Sequence, residues 1–115
     1  MQEFLLVIRR DITSENPTPT ADQMKEAMKP YQEWVAGIGA QDKLVGTPKR
    51  WDADGRVIKG NEITSGPFGT GIDSIGGLFL IKSENYDEAV AIAQGCPIIK
   101  YGATVEVRMA IPPVA

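Results

Sequence analysis

The run Phe4-Leu5-Leu6-Val7-Ile8 is apolar at every position. In an extended chain, successive side chains leave on opposite sides. Phe4, Leu6 and Ile8 therefore face one way, and Leu5 and Val7 the other. A strand of this kind, over residues 3–9, is predicted to be covered on both faces. At 115 residues the chain is expected to form one domain, 1–115, around one core. Whatever covers the two faces must come from a short chain or from a partner.

Helical signals follow the strand. Residues 13–20 are polar, with Pro17 and Pro19, and read as a loop. Thr20 with Gln23 forms the pattern of a capping box, opening a helix from about Ala21 to Ile38. Met24, Ala27, Met28, Tyr31, Trp34, Val35 and Ile38 recur at helical spacing as one buried stripe. Pro30 lies within that stripe and predicts a kink; Gly39 is the expected C-cap. Residues 43–51 and 56–64 read as strands joined by a hairpin turn at Asp52-Ala53-Asp54-Gly55, with Pro48 marking an edge or bulge. Leu78–Lys82 reads as the next strand. Asn85 with Glu88 opens a second helix that runs to Gln94 and stops at Gly95 and Pro97. In the last strand, Val105, Val107 and Met109 alternate with Thr104, Glu106 and Arg108.

This order predicts an α+β, ferredoxin-like βαββαβ fold. Its antiparallel sheet has an extended hairpin and carries two helices on one face. The second sheet face, with Leu5 and Val7 or their alternates Phe4, Leu6 and Ile8, is left apolar. A homodimer closing sheet face on sheet face is the expected partner arrangement.

Composition excludes several function classes. Net charge is −3, from 12 basic and 15 acidic residues, and the only basic clusters are Arg9-Arg10 and Lys49-Arg50. That is no footprint for nucleic acid. The chain has no histidine, which removes the commonest general base and the commonest transition-metal ligand; no metal site and no cofactor are expected. The lone Cys96 permits no internal disulfide and reads as a small buried apolar side chain. No apolar run reaches the roughly 18 residues of a membrane span, and the N-terminal residues lack a signal-peptide pattern. A cytoplasmic protein is expected.

The stretch Ser65-Gly66-Pro67-Phe68-Gly69, followed by Asp73 and Gly76-Gly77, connects two strands through backbone rich in glycine and proline. Such connections often build sites. The stretch resembles the signature of the YCII-related proteins, in particular the branch named for an Asp-Gly-Pro-Phe motif. The resemblance extends to Phe4–Ile8, to Tyr86-Asp87-Glu88-Ala89, to Pro97 and to Gly102 through Val105-Glu106-Val107-Arg108; the order and spacing carry it. It implies a ferredoxin-like fold assembled as a dimeric α/β barrel. It also implies kinship with small-molecule enzymes, lactone dehalogenases among them. YCII-like members carry a His and an Asp that look like an acid/base pair. Here there is no His, and Ser65 stands where the branch has Asp.

The residues left for chemistry are few. Glu106 and Arg108 share the strand face that points away from the helices. They are either an ion pair or the lining of a cleft, with Arg108 gripping an anionic group. Asp73 and Glu106 are the candidate proton-transfer residues, and Ser65, Phe68 and Arg108 the candidate substrate-binding residues. Ser65 lacks a base to activate it. Asp73 would otherwise cap the backbone of a glycine-rich loop. Two functions are expected from this set. One is a small-molecule-binding dimeric α/β-barrel protein, as an enzyme using carboxylate acid/base chemistry without a metal on a small anionic or polar organic substrate. The other is a non-catalytic regulatory or interaction module that keeps the fold and has lost the His/Asp pair.

Overall fold

A computed structural model describes residues 1–10, 20–51, 54–66, 68 and 74–111, with the backbone alone for Met24, Thr47 and Arg50. Strand β1 covers Gln2–Arg10, helix α1 Ala21–Ala40, β2 Leu44–Arg50, β3 Arg56–Lys59, β4 Glu62–Ser65, β5 Ser74–Ser83, helix α2 Tyr86–Gln94 and β6 Thr104–Met109. A short 3-10 helix over Pro97–Tyr101 joins α2 to β6. The main sheet has four strands in the order β2-β5-β1-β6, all pairs antiparallel. That is the ferredoxin-like arrangement, with β1 and β5 central and each helix linking strands that are not sheet neighbours.

The two faces of β1 separate as its alternation predicts. Phe4, Leu6 and Ile8 are at most 3% exposed and join Phe79, Ile81, Ile38, Ala89 and Ala93 in one core. Tyr31 and Trp34 of α1 and Ile92 of α2 pack onto the same cluster, so both helices lie on this face. The Trp34 indole N–H donates to the Ile92 carbonyl at 2.8 Å, which ties α1 to α2. Its ring meets Phe79 edge-on, with centroids 5.5 Å apart, and Phe4 meets Tyr86 in the same way at 5.1 Å. No helix among the described residues is long and apolar enough to cross a membrane.

Local capping chemistry explains the helix starts. The Thr20 hydroxyl accepts from Gln23 N–H at 3.1 Å, and the Gln23 side chain accepts from Thr20 N–H at 2.9 Å, a complete capping box. Asn85 accepts from Glu88 N–H at 2.9 Å. The Glu88 carboxylate, expected to return that bond, instead pairs with Lys43 Nζ at 2.5 Å. It thereby links the start of α2 to the turn before β2.

Several boundaries differ from the sequence expectation. Helix α1 is continuous through Pro30 and ends at Ala40 rather than at Gly39. The left-handed residue that turns the chain is Asp42, at φ 58°, and Lys43 N–H reaches back to the Ile38 carbonyl. Asp tolerates this conformation better than most residues, so Gly39 is not needed as the stop.

The predicted pairing of 43–51 with 56–64 does not form. β2 pairs with β5 in the main sheet, and 56–64 folds on itself as the separate two-stranded ribbon β3–β4. Its turn is Gly60-Asn61, with Gly60 at φ 60°. A glycine first in a two-residue loop suits the twist of a hairpin and outcompetes Asp54-Gly55. β5 begins at Ser74, four residues ahead of the predicted Leu78, and takes in Gly76-Gly77. There the register slips: Ile8 pairs with Gly77 and Arg9 with Ile75, leaving Gly76 as the extra residue of a β-bulge.

Candidate functional site

The face of the sheet away from the helices carries the charged candidates. Across the four strands, register sets Val45, Leu80, Leu5 and Arg108 in one row and Lys49, Leu78, Val7 and Glu106 in the next. The middle of this face is apolar. Val45, Leu5, Leu78 and Leu80 are half-buried there, and Val7, between Leu78 and Glu106, is 4% exposed.

A guanidinium–carboxylate cluster borders the apolar strip. Arg9 Nε donates to Glu106 Oε1 at 3.1 Å, and a second Arg9 nitrogen lies 3.1 Å from the same oxygen. Glu106 Oε2 is 3.8 Å from Arg108, whose side chain is 71% exposed. Two cations thus share one carboxylate at the edge of an apolar surface. Such partly solvated pairs add little to stability. Arg108 is held at a long distance and is largely open to solvent.

The remaining predicted residues lie elsewhere. Ser65 is the exposed last residue of β4, opposite Arg56 in the ribbon, and Phe68 is 84% exposed. The ribbon packs chiefly on itself among the described residues. Glu106 and Arg108 are therefore brought together, while Ser65 sits on the separate ribbon and Phe68, three residues beyond it in the chain, is exposed. Asp73 lies outside the described residues. Trp51 is 49% exposed. Burial pushes the Cys96 thiol above its ordinary value, which keeps it protonated and unreactive. No group of three or more Cys, Asp or Glu among the described residues is placed to hold a metal ion.

Sequence reasoning passed over one feature on the helix side. A cavity of about 50 Å³ opens at the end of the sheet, between Ile8 and Arg10 of β1, Ala27 and Tyr31 of α1, and the Gly76-Gly77 bulge. Part of the signal was present in the alternation: Arg10 follows Phe4, Leu6 and Ile8 on the inward parity of β1, and its side chain lies beside Gly76.

No family model and no curated protein matches the chain. Among solved structures it is similar to 5-chloro-2-hydroxyhydroquinone dehydrochlorinase (TftG) from Burkholderia phenoliruptrix AC1100, in complex with 2,5-dihydroxybenzoquinone. The identity is 17% and the TM-score 0.54, over 95% of this chain and 93% of that one. A likeness at this identity shows a shared fold over nearly the whole chain, the ferredoxin-like α+β fold described above.

Proposed function

We propose that this chain is a small-molecule-binding protein of the YCII-related type, working as a homodimer. Two copies close their open sheet faces on each other as a dimeric α/β barrel. The ligand, a small anionic or polar organic molecule, lies in the cleft between them, with Arg108 as its anchor. The observation that carries this reading is the placement of the Arg9–Glu106–Arg108 cluster beside an apolar strip that neither helix covers. The fold shared with a protein solved in complex with 2,5-dihydroxybenzoquinone supports a small-molecule ligand. The signature beginning Ser65-Gly66-Pro67-Phe68 supports the YCII-related, Asp-Gly-Pro-Phe reading.

Catalysis on this reading would fall to a carboxylate, Asp73 or Glu106. The Arg9–Glu106 contact favours a second reading, a binding or regulatory module without catalysis. A carboxylate oxygen that accepts from Arg9 Nε, with a second nitrogen of the same guanidinium 3.1 Å away, is occupied as an acceptor and poorly placed to take a proton from a substrate.

Thermal-shift measurements with small carboxylates and lactones, run on the native protein beside Arg108→Ala, test the proposal. Stabilisation of the native protein that the variant loses is expected. Absence of stabilisation by every compound, or equal stabilisation of both proteins, would remove the arginine anchor.

A further inference from the structure

The helix-side cavity is built differently from the open face. Its walls are apolar, from Ile8, Ala27 and Met28, and Arg10 is the one cation among its described lining residues. Arg10 is half-buried. The ion pairs among the described residues use Arg9, Lys43, Arg56 and Arg108, and none uses Arg10. A guanidinium drawn partly out of water without a counter-charge is unfavourable, and an incoming anion relieves that cost.

The backbone opposite makes room for this side chain. Gly76 is the unpaired bulge residue, and a Cβ built on it would stand 2.7 Å from Arg10 Nε. Only a glycine lets the guanidinium lie flush against β5 at the cavity. The bulge therefore aims Arg10, as bulges beside sites commonly aim a side chain.

Size narrows the ligand. At about 50 Å³ the cavity falls far below the roughly 300 Å³ at which pockets enclose drug-sized molecules. It suits a carboxylate with a short apolar stem. We infer that this cavity is a binding site for a short-chain monocarboxylate, with the Arg10 guanidinium gripping the carboxylate and the stem lying between Ile8 and Ala27. The site is on the opposite side of the sheet from Arg108, and it stands or falls independently of the cleft proposed above.

Propionate is the probe, titrated by NMR into the native protein, Arg10→Met and Gly76→Ala, with amide spectra checking each fold. The added methyl of Gly76→Ala displaces a flexible side chain rather than the core, so this variant serves if Arg10→Met does not fold. Expected are shifts at Ile8, Ala27 and Gly77 in the native protein, and affinity weakened about tenfold or more by Arg10→Met and by Gly76→Ala. Propionamide, with the same shape and no charge, should leave those signals unmoved. Equal propionate binding by the native protein and the folded Arg10 or Gly76 variant would overturn the proposal. So would equal shifts from propionamide, or from chloride at matched ionic strength. If compounds stabilise the protein through Arg108 while propionate leaves Ile8 and Ala27 unmoved, the cavity proposal alone fails.

Discussion

Leu6 is fully buried, while Leu5, its neighbour in the chain, is only half-buried. The two residues differ in little except the side of β1 from which they leave. On Leu6's side, α1 and α2 supply Ile38, Ala89 and Ala93, and the layer closes within one chain. On Leu5's side, Leu78, Leu80 and Val45 form an equally apolar strip, with guanidinium groups at its border instead of helices above it. The comparison separates what holds the fold from what the fold presents. The covered face carries stability. On the reading proposed above, the open face is where a second copy and a ligand would meet the chain.

Substitutions can break or sharpen that contrast. The largest effect is expected from Leu6→Ala, which leaves a cavity under both helices and should cost about 2–5 kcal/mol in denaturant unfolding. Leu5→Ala, measured at concentrations where the protein is monomeric, should cost less than about 1.5 kcal/mol. Similar losses for the two would erase the distinction between the faces. Next is Leu80→Glu, which places a charge in the middle of the open strip. It should weaken self-association by about 100-fold or more while leaving the unfolding of the monomer nearly unchanged.

A smaller effect belongs to Trp34→Phe. Loss of the indole donor leaves the Ile92 carbonyl without its partner and should cost about 1–2 kcal/mol, with no change in association. A change in association instead would mean that the helix face also contributes to the interface.

The smallest is a pH effect at the edge of the covered layer. The Lys43 ammonium beside Glu88 holds its carboxyl below the ordinary glutamate range. The folded protein thus takes up this proton less readily than the unfolded chain. The contribution is present above the unfolded carboxyl's pKa, about 4.3, and is lost as pH falls through the lower folded value. Glu88→Gln should therefore lower stability at neutral pH and flatten the acid limb of the stability profile. An unchanged acid limb would show that the pair adds nothing.

The parts of this structure that were legible in the sequence are those written locally. Thr20 and Gln23, or Asn85, carry their helix starts within one turn, and the alternation of β1 and β6 assigns Phe4, Leu6, Glu106 and Arg108 to their faces without reference to any partner strand. What was not legible depends on pairing between distant segments. Residues 56–64 look like one strand until Gly60 folds them back, and 43–50 belong beside β5 instead. Gly76 and Gly77 look like loop residues because a strand interior seldom uses glycine. Their role appears only when β1 lies beside them and Arg10 needs the space. Glu106 and Arg108 could be placed on one face from their spacing alone, but their sharing with Arg9 required the register of β1 against β6.

Sedimentation of the native protein over a range of concentrations tests most directly whether the open face is a surface for a second copy. The account predicts a species of two 12.5 kDa chains that Leu80→Glu converts to the single chain with its circular dichroism intact. A native protein that sediments as one chain throughout the micromolar range, with Leu80→Glu indistinguishable from it, would contradict the account.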